Sequence, residues 1–232
     1  MSFNIEVEGG TSVRLPTAGK YCDRDIVITA TGGGKDLWQY VYSLNEPFKN
    51  ATFPTDYELT LNLPFVTSLT NAIYGANKLK KLTLTGGNTT GGDGAITGLY
   101  CFTHGTVTEI DFSNFRDGGI RFASTAKYPF YNCTRLQYIR GEIDMSAVTS
   151  ALNYFYYCNK LIDVRFKKGT ISVDLVFTST LLCEDFIQSV VDGYADMSGK
   201  TSPTLTVTAT VGAKFTEAQK ATLTAKNVTL AY

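Results

Sequence analysis

The chain has 232 residues, 44% of them hydrophobic, with 21 basic and 21 acidic side chains and so no formal net charge. That balance excludes the global field by which basic proteins gather nucleic acid or an anionic membrane surface, and neither partner is expected. No apolar run approaches the roughly 18 to 20 residues of a membrane span, and MSFNIEVEGGTSVRLP lacks the basic and apolar segments of a secretory signal. A soluble protein without a cleaved leader is therefore expected. The five cysteines, Cys22, Cys101, Cys133, Cys158 and Cys183, are odd in number and widely spaced, with no C-x-x-C pair. They read as buried thiols.

In chain order, Ile5/Val7 and Ile26/Ile28 alternate around Gly9-Gly10 and Pro16, which predicts a small β unit followed by a flexible TGGGK linker. Trp38, Tyr40 and Tyr42 share one strand face, either as core of a first turn or as a sugar-stacking stripe. ELTLNL, LKKLTL and VTEIDF come next, then FYNCTRLQYIR (130–140) and FYYCNKLIDVR (155–165), which are identical at five of eleven positions. One apolar frame fits them all: Leu59/Leu61, Leu79/Leu82/Leu84, Val107/Ile110/Phe112, Leu136/Ile139/Gly141 and Leu161/Val164/Phe166. The central position falls at 59, 82, 110, 139 and 164, and the longer steps coincide with the insertions TGGNTTGGDG (85–94) and NFRDGG (114–119).

An L-x-L run has strand period, and one such strand cannot bury its apolar side alone. Copies recurring every 20 to 50 residues can bury it against one another, in a parallel ladder with Phe130 over Phe155 and Cys133 over Cys158. Beyond them, Leu182, Phe186, Val190 and Val191 fit an amphipathic helix, with Ser179 or Thr180 as its cap. TLTVTAT (204–210) alternates as a strand, Thr216 caps a short helix, and VTLAY closes as a strand.

The pattern Phe-Tyr-x-Cys-x-x-Leu-x-x-Ile/Val followed by a short strand resembles the BspA-like leucine-rich repeat, over about residues 55 to 180. The tail from Leu181 is similar to the C-terminal cap of leucine-rich-repeat proteins of phages and prophages, and LPTAGKYCDRDIVITA resembles a segment near the termini of phage tail-associated proteins. These resemblances imply an α+β fold: an irregular leucine-rich-repeat solenoid with a parallel β ladder. A small N-terminal β unit and linker would occupy residues 1–34, the solenoid 35–180 and a helix-strand-helix-strand cap 181–232. They also imply a phage or prophage tail-associated protein, at a virion or cell surface, that binds a protein, a surface glycan or a cell-wall polymer. Self-association through the N-terminal unit is a further expectation, and a bacterial cell-surface adhesin of the same repeat class is the alternative.

No enzyme, cofactor or metal site is expected. His104 is the single histidine, so no His-rich metal set can form. Cys101 and His104 lie three apart as a nominal nucleophile and base, but read better as core and turn. GGNTTGGDG lacks the Lys and Ser/Thr of a phosphate loop. The residues beside the apolar positions form three outward rows: Lys81, Glu109, Tyr138, Asp163; Thr83, Asp111, Arg140, Arg165; and Thr85, Ser113, Glu142, Lys167. They are either cross-strand pairs that keep the face polar or a ligand face. As a ligand face, Arg140 and Arg165 would sit side by side as an anion clamp, Tyr138 would be a stacking platform, and Glu109, Asp111 and Asp163 would be the neighbouring acids.

Overall fold

The alternating segments become strands wherever the frame was read. The computed structural model describes residues 45–63, 66–87 and 94–232. The predicted N-terminal unit, the Gly linker, the Trp38–Tyr42 stripe, Cys22 and residues 88–93 of the Gly-rich insertion lie outside these. The protein is mixed α and β, built on a parallel sheet with few helices. Strands β1 (Thr52–Leu63), β2 (Asn77–Gly86), β3 (Glu109–Asn114) and β5 (Tyr138–Asp144) neighbour one another in that order, and β6 (Asp163–Phe166) pairs with the far side of β5. After a 3-10 turn over Arg116–Gly118, β4 (Gly119–Arg121) takes over from β3 along the second half of β5.

Register follows the apolar frame. Leu59 pairs with Leu82, Leu82 with Ile110, Ile110 with Ile139, and Ile139 with Val164. All five are essentially solvent-free, as are Leu79, Val107, Leu136 and Leu161 three residues before the last four. Each such side chain contributes roughly 1.5 to 3 kcal/mol by leaving water. The turns ahead of the strands add an aromatic ladder: Phe102 on Phe130 (5.4 Å between centroids), Phe130 on Phe155 (5.4 Å, 8° between planes) and Phe155 on Phe177 (4.8 Å). The thiols follow the same step, Cys133 Sγ donating to the Phe102 carbonyl at 2.9 Å and Cys158 Sγ to that of Phe130 at 3.0 Å. Cys101, Cys133 and Cys158 are buried and Cys183 half-buried.

The turns repeat in backbone as well. Positive φ recurs in pairs four residues apart: Glu46/Asn50, Asn71/Gly75, Tyr100/His104 and Tyr128/Asn132, with Tyr157 at the second place of the next turn. Their N–H groups donate to the following turn, Gly75 to Thr103 O, His104 to Tyr131 O and Asn132 to Tyr156 O, at 3.0, 3.3 and 2.8 Å. Backbone groups between the strands are thus satisfied turn to turn.

Past β6, the short strand β7 (Leu175–Val176) starts a second parallel sheet, completed by β8 (Thr204–Thr206) and β9 (Thr229–Ala231) in the order β7-β8-β9. Helix α1 (Glu184–Gly193) buries Phe186, Val190 and Val191 as its periodicity predicts, but neither Ser179 nor Thr180 caps it. Cys183 stands at the cap, while the Ser179 hydroxyl donates to Leu161 O at 2.7 Å, one turn too early to reach the helix. The predicted 204–210 strand is cut short because Thr208 caps a single helical turn, α2 (Ala209–Gly212). Helix α3 (Glu217–Ala225) starts at the expected Thr216, in a capping box with Gln219. Lys226 closes this region: its ammonium donates to the carbonyls of Val191, Asp192 and Tyr194 at 2.8, 3.3 and 2.6 Å, satisfying the end of α1. No helix among the described residues is long and apolar enough to cross a membrane.

Phe155→Ala removes a rung held between Phe130 and Phe177 and should lower stability by roughly 3 to 5 kcal/mol, Phe130→Ala similarly. Lys167→Ala, at an exposed ion pair, should stay within roughly 0.5 kcal/mol. Equal shifts of all three urea midpoints would contradict this assignment of the core.

Candidate functional site

The outward faces of the strands gather most of the residues expected to bind. Lys81, Glu109 and Tyr138 form one row, and Thr83, Asp111 and Arg140 the next, as the sequence predicts. Their charges are spent on one another. Lys81 Nζ lies 2.7 Å from Glu109 Oε1 and 3.2 Å from Asp111 Oδ2, while Arg140 Nε is 3.7 Å from Glu109 Oε2. The Arg140 guanidinium also sits 4.3 Å from the centre of the Tyr138 ring, so that ring offers a ligand at most its other face.

The expected Arg140–Arg165 clamp does not form. Register slips between Ile139 and Glu142, so Arg165 pairs with Glu142 and Phe166 with Ile143. Arg140 and Gly141 form the bulge, with Gly141 at φ 82°. A Cβ there would fall 2.8 Å from Gly118 O and from the carbonyl carbon of Phe112, so only glycine fits. Beyond the bulge Arg165 turns to the C-terminal region, with Nε 3.0 Å from Asp163 Oδ2 and Nη2 2.8 Å from Asp185 Oδ2 on α1. Asp163, expected to face out, is only 7% exposed in this arrangement. Lys167 reaches Asp144 at 3.2 Å rather than the expected Glu142. The six predicted residues therefore split: Glu109, Asp111, Tyr138 and Arg140 form one network, Asp163 and Arg165 another.

Cys101 is completely buried, and that burial pushes its thiol up to about 12, so it stands in the core as a protonated thiol, away from solvent. His104 belongs to the surface turn, with Nδ1 hydrogen-bonded to the Asn132 amide at 2.7 Å. Among the described residues no cluster of three or more His, Cys, Asp or Glu side chains could hold a metal ion.

The surface that sequence reasoning missed lies on the turns. Tyr74, Tyr100, His104, Tyr128, Tyr131, Tyr156 and Tyr157 form one continuous aromatic edge across four successive turns. Tyr100 stacks on Tyr128 at 5.2 Å and Tyr131 on Tyr156 at 6.3 Å, both near parallel. His104 bridges Tyr74 and Tyr131 edge-on, at 5.3 and 5.9 Å. These rings are partly exposed, Tyr157 by 44%. The other contacts along the edge are edge-on, so the rings brace one another while staying partly exposed. The sequence signal was the aligned Tyr131 and Tyr156 behind the ladder phenylalanines. The rest of the edge repeats as well, Tyr74 at the same place as Tyr131 and Tyr156 and Tyr100 at the same place as Tyr128, but those matches show only once the turns are aligned on their left-handed residues.

Two predictions follow from the strand face. Gly141→Ala should lower stability by roughly 1 to 3 kcal/mol, read from urea melts, because the added Cβ meets backbone on top of the left-handed strain, whereas Gly169→Ala, equally left-handed (φ 70°) but with open space around it, should cost less. Burial pushes the Asp111 carboxyl up, but hydrogen bonds from Ser113 and Lys81 outweigh it and hold it below its ordinary value; Ser146 and Lys167 do the same for Asp144. A carboxylate whose pKa is depressed in the folded state stabilises above its unfolded value and loses that contribution as pH falls through the folded one. Stability should therefore decline on acidification from about pH 4 downward, and Asp111→Asn with Asp144→Asn should flatten that decline. Comparison of the chain with protein-family models, with curated proteins and with solved structures finds no match.

Proposed function

We propose that this chain is a non-enzymatic binding protein: a BspA-like leucine-rich-repeat solenoid, tail-associated in a phage or prophage, that recognises a host surface polymer. The contact surface in this reading is the aromatic edge of the turns, and the self-neutralised strand face serves as scaffold.

One observation carries the reading. Tyr100, Tyr128 and Tyr157 hold φ of 53°, 54° and 62°, a region that bulky side chains avoid. Asn71, Gly75 and Asn132 occupy the equivalent places in neighbouring turns, where a small residue meets the backbone's need at lower cost. Aromatic rings at such positions oppose local backbone preference. Strain of this kind gathers where a surface is used, and tyrosine is enriched in binding surfaces because it adds contact area with few rotors.

The test is Tyr128→Asn combined with Tyr157→Asn, read as co-sedimentation with purified bacterial cell walls and as melting temperature. Binding should fall about tenfold, or ~1.4 kcal/mol, while the melting temperature stays level or rises, since Asn relieves the backbone as it removes ring contacts. Full binding by the folded variant would refute the reading.

A further inference from the structure

The neutral total conceals a segregation of charge. No Asp or Glu occurs in residues 66–87, 94–108, 122–141 or 145–162, the stretches that include every tyrosine-bearing turn. From β3 through β6, the described acids stand in the strands or, as Asp117, in the 3-10 turn. Cations do stand in the turns or, as Lys78 at the start of β2, just past them. Lys78, Arg135 and Lys160 each directly precede the buried Leu79, Leu136 and Leu161, so they occupy one equivalent place, with Thr106 at the intervening turn. Lys127 adjoins Tyr128. All four are exposed, and none forms an ion pair with a described residue, whereas Lys81, Arg140, Arg165 and Lys167 on the strand side are all paired.

Lys78, Arg135 and Lys160 follow Gly75, Asn132 and Tyr157 by three residues, where each aromatic turn leads into its strand. Lys78 and Lys160 are three rungs apart, about 14 Å at ordinary strand spacing. A single small anion cannot meet both. An extended chain with repeated negative groups can, and its sugar rings would meet the partly exposed phenols between the cations.

We infer that the tyrosine edge binds a linear anionic polysaccharide, whose carboxylate or phosphate groups meet Lys78, Lys127, Arg135 and Lys160 while its sugars lie along the phenols. This rests on the binding-protein reading above and adds the chemistry of the ligand. Unpaired cations beside a stretch without acids give a local field that the zero net charge does not cancel at short range, because screening in salt limits charges to about 10 Å.

The experiment measures binding of the full chain to polygalacturonate (carboxylate), a glycerol-phosphate teichoic acid (phosphate) and neutral dextran, beside bacterial cell walls. At least one anionic polymer should bind and dextran should not, and which of the two binds identifies the anionic group. Raising NaCl should weaken the complex, and Lys78→Gln, Arg135→Gln and Lys160→Gln together should weaken it about tenfold without lowering the melting temperature. Equal binding to dextran, binding to neither anionic polymer, or an unaffected triple variant overturns the inference. If the Tyr128/Tyr157 variant still loses cell-wall binding in those cases, the binding-protein reading survives. Single-stranded DNA held as tightly as the best anionic polymer overturns the inference in favour of a nucleic acid. Cell-wall binding that neither set of substitutions weakens overturns both proposals.

Discussion

Register is the constraint on which the rest of the structure depends. Each strand of the six-stranded sheet has one apolar row, and between Asn45 and Leu182 no described α-helix covers it. A one-residue slip between β2 and β3 would set Lys81 or Thr83 where Leu82 packs and turn the leucine to water. The cost would be roughly 1.5 to 3 kcal/mol for each exposed side chain. The phenylalanine ladder imposes the same register from the turn side. Phe130 stacks on Phe155 within 8° of parallel, and that stacking survives only if the strands behind it stay aligned. Strand pairing and ring stacking thus specify one alignment twice, and agreement between levels separates a single native arrangement from its slipped competitors.

That alignment was legible because it is written in apolar side chains at strand period. Positions 59, 82, 110, 139 and 164 could be read from leucine, isoleucine and valine alone. The slip at Arg140–Gly141 also left a trace: a glycine where the frame wants an apolar residue, with Ile143 resuming the frame two places on. Glycine inside a strand marks a bulge or a close backbone approach. Treating Gly141 as a weak core residue is what put Arg140 beside Arg165. The aromatic edge was harder to see, because left-handed turns announce themselves through Gly and Asn, and three of the turns carry Tyr there instead. Charge was read as a total, and a total of zero hides which side of each segment the acids occupy.

The two sides of the segments behave differently in consequence. On the strand side, opposite charges pair with one another, each pair worth at most about 1 kcal/mol when exposed. On the turn side, rings pack on rings and unpaired cations stand where the turns lead into the strands. The same alignment that neutralises one side multiplies the other, since any residue at a given place in a turn meets its counterpart one rung away.

The left-handed pairs have a further consequence, for how such a chain can change over generations. From Gly75 to Leu82, His104 to Ile110, Asn132 to Ile139 and Tyr157 to Val164 the path from turn to paired strand is six or seven residues every time. From each strand residue to the next turn it ranges from 16 residues (Leu59 to Gly75) to 22 (Leu82 to His104, and Ile110 to Asn132). Length is therefore free on one leg of the segment and fixed on the other, and lengthening a surface connection adds little entropic cost. Insertions and deletions can accumulate behind the strands without moving a tyrosine, while the aromatic edge can be rewritten only by substitution. The molecule has one margin where its gene can tolerate indels and another where it can tolerate only point changes.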